Sequence, residues 1–448
     1  MPETVTLEQM LEARERRASR QRALLAQYAL PLVSFSMNIA GPVKNSPLIR
    51  RGFRLGERAL KEHLALSGGA ILHEEATDAV TGREGLYAVD MDPGALKKLT
   101  CAIEEHNPLG RLFDMDVITP EGRKLERGAP RRCLICDRNA SECARSRAHT
   151  VEELQAATRT ILTDALRDYD AKEAAGLSVR ALMYEVAVTP KPGLVDRANN
   201  GSHADMDFYT FASSASALHP YFETCVHIGR QTAGQRPTET MTALRFHGLQ
   251  AECDMRRATG NVNTHKGAIY SMGLVCGALG RLDRAQWRQP ALVMQEAAAM
   301  AAGAVENELG GVAPETAKTP GERFYALYGV AGVRGEAAQG FPAVLRHGLP
   351  VLEAGLAQGK TVDEAGSAAL LSMIAHTEDT NLIARGGIGR QKRAAAELQA
   401  LLRQEPYPAR AAVEALDRAY IEENLSPGGS ADLLALCFLL HFLKEAAE

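Results

Sequence analysis

The chain has 448 residues, 46% of them hydrophobic and 24% charged, ordinary values for a folded globular protein with room for two or three domains. A formal net charge of −4 argues against general nucleic-acid binding as the main task. Eight cysteines in so long a chain do not make a disulfide framework.

The N-terminal stretch "LEQMLEARERRASRQRALLAQYA" is charged throughout and lacks the apolar centre of a signal peptide. It predicts an amphipathic helix with Leu7, Met10, Leu11, Leu24 and Leu25 as apolar points, and a cytoplasmic location is expected. Up to about residue 150, short apolar runs alternate with turns. "LPLVSFSMNIAGP", "GGAILHEEA", "GLYAVDM" and "GRLFDMDVI" predict strands, and the segments around 55–66 and 94–106 predict helices. This is an α/β or α+β domain. In "GRLFDMDVITPEG" the period-two alternation puts Phe113, Met115 and Val117 on one face and Leu112, Asp114, Asp116 and Ile118 on the other. At a rise of about 3.3 Å per residue the two acids sit roughly 7 Å apart, close enough to share magnesium. A solvated edge-strand face is the alternative. Next, "CLICDRNASECARSRAH" offers Cys133, Cys136, Cys143 and His149, a set that could close a tetrahedral zinc site or lie as reduced thiols in a packed loop.

From about Glu152 onward the grammar changes to long, alanine-rich helical stretches such as "VEELQAATRTILTDALRDYD" and "PALVMQEAAAMAAGAVENEL". These predict an all-α, multi-helix domain with functional loops at the helix ends. The domains are assigned to 1–157 and 158–448. The late apolar run "DLLALCFLLHFL" is too short to span a bilayer and predicts a buried helix. Four polar knots interrupt the helices: "TPKPGLVDRANNGSHADMD", "ATGNVNTHKGAIYSMG", "HTEDTNLIARGG" and "NLSPGGSADLLAL". In the last, Ser430 is expected as an N-cap and Asp432 falls in the first turn. Any one knot has the ordinary alternative of capped helix ends. Together they combine acids, cations and glycine as a site for a nucleoside triphosphate would, with carboxylates bridging a metal and basic side chains on the phosphates. No Walker A motif occurs in either half.

Through "PKPGLVDR", "NTHKG", "DTN…RGG" and "NLSPGGSADLL", the second half resembles triphosphoribosyl-dephospho-CoA synthase over most of residues 160–445. Asn261 in "TGNVNTHKG" stands where that family is expected to have glycine. The first half resembles the citrate lyase holo-acyl-carrier-protein synthase, a phosphoribosyl-dephospho-CoA transferase. The residues that carry this likeness are "PLVSFSMNIAGPVKNS", "HNPLGRLFDMDVITPEG" and "RRCLICDRNASECARSRAH". The resemblance implies two reactions. ATP and 3′-dephospho-CoA give 2′-(5″-triphosphoribosyl)-3′-dephospho-CoA and adenine. A serine of the apo-citrate lyase acyl-carrier (gamma) subunit then takes the phosphoribosyl-dephospho-CoA group with loss of pyrophosphate, by a nucleotidyltransferase-type domain.

Under that resemblance Asp196, Asp205 and Asp379 supply metal ligation or a carboxylate beside the ribose C1, and His203 and His265 transfer protons. Lys191, Arg197, Asn263, Lys266, Asn381, Arg385, Ser426, Gly428, Gly429 and Ser430 bind the nucleotide. Magnesium is expected on Asp114 and Asp116 in the first half and on Asp205 and Asp379 in the second, with Arg111 and Lys44 neutralising pyrophosphate. No nucleic acid or membrane partner is expected. The rival readings are the same chemistry serving malonate decarboxylase, a generic ATP-dependent transferase, and a non-catalytic, zinc-stabilised adaptor for a carrier protein.

Overall fold

A computed structural model describes residues 3–136 and 138–446. Its contacts group into two units, residues 1–169 and 170–448.

The N-terminal unit contains α1 (Leu7–Tyr28), β1 (Leu32–Met37), α2 (Pro47–Leu66), β2 (Ala70–Ala79), β3 (Gly82–Asp90), α3 (Pro93–His106), β4 (Phe113–Ile118), α4 (Ala140–Ser146) and the start of α5 (Val151–Ala187). The helix starts follow local chemistry. Thr6 and Gln9 form a reciprocal capping box at α1, while Ser46 before Pro47 and Asp92 before Pro93 cap α2 and α3. The sheet has four strands in the order β2-β3-β1-β4, and its pairings are antiparallel. The unit is therefore α+β rather than α/β.

Period-two alternation gives the sheet two different faces. Val33, Phe35, Tyr87, Val89, Phe113, Met115 and Val117 pack against Phe53 and Leu60 of α2 and Leu96 and Ile103 of α3. The opposite face is thinner: Leu32, Leu86, Ala88 and Ile118 meet Leu24 and Leu25 of α1. Asp114 and Asp116 are on that second face, paired in register with Ser36 and Ser34. Two expectations need correction. Leu112 does not share the aspartate face; it ends a short 3₁₀ turn, Gly110–Leu112, and is buried with Phe113. Leu7 and Leu11 of α1 are exposed, so only the C-terminal half of that helix docks its apolar points.

The C-terminal unit is mostly helical around one core. The helices Lys266–Arg281 and Gly428–Glu445 are buried along nearly their whole length. Close backbone approach explains Gly280 of "GLVCGALGR" and Gly229 of the neighbouring helix His219–Gln231. A Cβ on Gly280 would lie 2.1 Å from the carbonyl oxygen of Val226, and one on Gly229 would lie 2.0 Å from that of Gly277. Asn261, the residue in place of an expected glycine, takes φ 76°, the left-handed region that asparagine tolerates better than other side chains. Among the described residues, no helix is long and apolar enough to cross a membrane.

Candidate active sites

In the N-terminal unit, Asp114 and Asp116 project from β4 into a shallow recess of about 630 Å³ shared with Arg127, Arg131 and Lys124. Arg131 donates to Asp114 Oδ1 at 2.8 Å, and Lys124 Nζ lies 2.5 Å from Asp116 Oδ2. Behind them sits a residue that local pattern could not single out. Glu104 of α3 is buried; its Oε1 accepts from the Met115 N–H at 2.7 Å and from Arg131 at 2.7 Å, and its Oε2 accepts from Arg127 at 2.7 Å. Burial pushes its carboxyl up, against the pull of the two guanidiniums. A larger cavity of about 1270 Å³ opens beside this recess, and Arg127 and Arg131 line both. Lys44 and Arg111 line the larger cavity together with Arg132 and Arg147. Arginine forks match phosphate oxygens, and six cations around one cavity favour a polyanion.

The same cavity is walled by Cys133, Cys143 and His149. Together with Cys136 they bring one ligand atom each to within 4.8 Å of one another. Cys136 Sγ is 3.5 Å from Cys143 Sγ and 3.4 Å from His149 Nε2. The Cys136 thiol is drawn down to about 6, first by the Arg138 backbone N–H and then by His149. Cys143 is pushed up to about 11 by burial and by its sulfur neighbours. The sequence spacing has thus become a compact three-sulfur, one-nitrogen set, the donor chemistry that suits tetrahedral zinc.

In the C-terminal unit, the four polar knots meet at one cavity of about 540 Å³. Three helices begin on its wall: Lys266 and Gly267 start Lys266–Arg281, Thr380 and Asn381 start Thr380–Gln404, and Gly428, Gly429 and Ser430 start Gly428–Glu445. Helix N-termini carry partial positive charge and outward N–H groups, so their convergence makes the cavity a place for an anion. Asp379 arranges two of them. Its Oδ1 accepts from the N–H groups of Asn381 and Leu382 at 2.9 and 3.2 Å, and its Oδ2 accepts from the Ser430 N–H at 2.7 Å and Oγ at 2.9 Å. Ser430 is therefore a donor to Asp379 rather than the expected N-cap; that position belongs to Pro427.

Lys191, His203, Asn263, Lys266, Asn381, Arg385, Ser426, Gly428, Gly429 and Ser430 all line this cavity. Lys191 is buried and gives its ammonium to the Glu185 carbonyl at 2.7 Å and carboxylate at 2.5 Å. Lys266 is more than half exposed and paired with Glu252 at 2.9 Å. Arg385 donates to Ser202 O at 2.8 Å and lies 3.3 Å from His203 Nδ1, while His203 Nε2 is 2.9 Å from Ser426 Oγ. Burial and the Arg385 charge lower the His203 pKa, so its ring is neutral at physiological pH.

Other expected residues stand elsewhere. Arg197 pairs with Asp363, and Asp205 is exposed; neither lines the cavity. Asp196 is a loop staple, buried and accepting from the N–H groups of Lys191, Ala198 and Asn199 at 3.0, 2.7 and 3.1 Å. His265 is buried, with Nδ1 2.6 Å from Ser214 Oγ, and burial lowers its pKa to about 3. A side chain so deep is a poor proton shuttle to a ligand. Asp205 and Asp379 thus do not fit as a joint metal site, since one is outside the cavity and the other already accepts four hydrogen bonds. The cavity wall also carries Glu185 and Glu336, which lie outside the four motifs, and Asp432 of the last motif. Glu185 lies inside a helix with no local polar pattern to mark it.

Comparison with known proteins agrees with this division. The family model of CitG, ATP:dephospho-CoA triphosphoribosyl transferase, matches residues 171–448. That of CitX, apo-citrate lyase phosphoribosyl-dephospho-CoA transferase, matches residues 5–165. Protein CitXG of Haemophilus influenzae is 36% identical over 456 residues, covering 98% of this chain and 96% of the relative. Protein CitXG of Leuconostoc mesenteroides subsp. cremoris is 31% identical over 458 residues, covering 98% and 97%. The 2-(5''-triphosphoribosyl)-3'-dephosphocoenzyme-A synthase of Pectobacterium atrosepticum is 40% identical over 290 residues, covering 64% of this chain and 94% of its own length. Both matched families are transferases, which leaves the adaptor reading without support. The chain belongs to the CitX and CitG families at once, as a fusion of the CitXG kind.

Proposed function

We propose that the C-terminal unit makes 2′-(5″-triphosphoribosyl)-3′-dephospho-CoA from ATP and 3′-dephospho-CoA, and that the N-terminal unit transfers its phosphoribosyl-dephospho-CoA group to the acyl-carrier gamma subunit of apo-citrate lyase. The observation that carries the first half is the convergence of three helix N-termini, Lys266 and Arg385 on one cavity. That arrangement suits a triphosphate that stays on the product throughout. Lys266 is more than half exposed, and Arg385 is held by neutral partners, the Ser202 carbonyl, Asn424 and His203, so phosphate oxygens can recruit both cations. Arg385 turning to phosphate would release His203 Nδ1, whose lone pair then serves as the base for the dephospho-CoA 2′-hydroxyl. The hydroxyl oxygen bonds to C1 of the ATP ribose as the bond to adenine breaks.

In the N-terminal unit, a nucleotidyltransferase-type site brings the carrier serine to the phosphate that joins the product's ribose to its pyrophosphate. Arg111, Arg132 and Lys44 receive the pyrophosphate in the large cavity. Asp114 and Asp116 fit magnesium by donor type, since they are two half-exposed carboxylates on one strand face. Bound there, the ion would stabilise charge on the leaving group. Cys133, Cys136, Cys143 and His149 hold zinc as a structural centre in the cavity wall.

The test is to incubate the protein with ATP, magnesium and dephospho-CoA, follow adenine by chromatography, and then add apo-carrier and follow its mass. Adenine released only with dephospho-CoA present is the expected result; none would end the synthase assignment. Asp114→Asn should stop carrier modification and leave adenine release intact. Carrier modified at the normal rate by that variant refutes the role given to Asp114.

A further inference from the structure

Adenine is a poor leaving group as an anion, so the ribosyl transfer needs a proton donor as well as a base. Among the described residues, four carboxyls in partly or fully buried positions line the cavity, and three are held by clear partners. Glu336 accepts from the Ala343 N–H at 3.1 Å. Glu185 is locked to the Lys191 ammonium at 2.5 Å, and Asp379 accepts four hydrogen bonds from two helix starts. The fourth is Asp432. Among the described residues no salt bridge reaches it, although it lines the cavity and keeps part of its surface open to it. Its place is built by a missing side chain, because a Cβ on Gly267 would lie 1.9 Å from Asp432 Oδ2. The glycine lets the carboxyl lie against the first turn of Lys266–Arg281 at the mouth of the anion site.

We propose that Asp432 gives the departing adenine its proton. This rests on the synthase reading of the cavity. The C1–nitrogen bond breaks with its electron pair going to the base, and the Asp432 proton goes to an adenine nitrogen. The bond from C1 to the dephospho-CoA 2′-oxygen forms, and the hydroxyl proton goes to His203. Return of that proton to Asp432 through water closes the cycle with nothing gained or lost. Burial and the neighbouring Glu185 and Asp379 carboxyls raise the Asp432 pKa well above the usual aspartate range, which favours its protonated form.

The experiment compares adenine release from ATP with release of 7-methyladenine from N7-methyl-ATP, a base that is already cationic and leaves without a proton. Each substrate is measured on wild type and on Asp432→Asn, with thermal unfolding as the check on folding. The expected result is a fall of about 10²–10⁴-fold on ATP and a change of only a few-fold on N7-methyl-ATP. Equal losses on both substrates would make Asp432 a positioning or metal-holding residue and overturn the proposal. Full activity of Asp432→Asn on ATP would overturn it too. Wild type that releases no adenine in either case would overturn the synthase reading and the proposal together, so the two failures are told apart by the wild-type lanes.

Discussion

Glu104→Ala isolates the polar support beneath the carrier-modifying site. Glu104 accepts three hydrogen bonds at 2.7 Å, two from guanidiniums and one from the Met115 N–H in the middle of β4. Its side chain is 1% exposed and those of its arginine partners are 18% and 29% exposed. Removing one partner of a buried ion pair typically costs about 3–5 kcal/mol. Here Arg127 keeps a bond to Glu105 and Arg131 keeps Asp114, which moderates the loss. The Met115 N–H, buried on the core face, has no such replacement and adds about 1–3 kcal/mol. We therefore expect about 3–4 kcal/mol in total, which for a domain of this size lowers the unfolding midpoint by about 8–15 °C. Calorimetry should show this loss in the transition of the N-terminal unit, with adenine release at 25 °C unchanged. Glu104→Gln keeps an acceptor for Met115 and should lose less. A Glu104→Ala midpoint within about 2 °C of wild type would correspond to under 1 kcal/mol, and would mean that the buried network contributes no net stability.

Zinc analysis of the purified protein should give one ion per chain; Cys133→Ser should lose it along with carrier modification but keep adenine release, and a metal-free, fully active protein refutes the centre. Gly267→Ala places a methyl where Asp432 Oδ2 sits at 1.9 Å, so adenine release should collapse. Overall stability should change little, because the helix preference of alanine, up to about 1 kcal/mol, offsets the displacement of the Asp432 side chain; full activity in that variant contradicts the site. The pH profile follows from His203. The neutral ring is the base, and burial with Arg385 lowers its pKa, so kcat/KM should stay high as pH falls past 6.5 and drop only below it. An acid limb above 6.5, or one that persists in His203→Asn, excludes this base.

The elements of the first half were legible because alternation is local. Val33, Phe35, Met115 and Val117 face one core, and Asp114 and Asp116 face away from it, as period-two spacing requires. The long helices of the second half were legible for the same reason. Pattern failed where the deciding partner is distant in the chain. Glu104 takes its meaning from Met115, Arg127 and Arg131, which approach it only through the packing of α3 on the sheet. Leu112 followed the strand alternation in sequence, but a 3₁₀ turn rotates it into the core. Asp196 and His265 look like chemistry because aspartate and histidine often are. In the fold the Asp196 carboxylate accepts from backbone N–H groups, and His265 Nδ1 pairs with a serine hydroxyl while its Nε2 is buried without a partner.

The polar knots posed a choice between capped helix ends and a ligand site, and Asp379 shows why that choice was ill-posed. A carboxylate that caps two helices fixes the direction of both first turns. The dipoles it aligns are the same ones that make the cavity attractive to phosphate. Capping and binding therefore use one set of residues, and neither weakens the case for the other. The same logic separates the cavity carboxyls by what already holds them. Asp379 spends its lone pairs on structure, and Glu185 balances Lys191. Among the described residues Asp432 has no salt-bridge partner, although it lines the anion site. Burial and its carboxyl neighbours favour the neutral form of that group, and under the mechanism proposed above a neutral carboxyl beside a developing adenine anion acts as the acid.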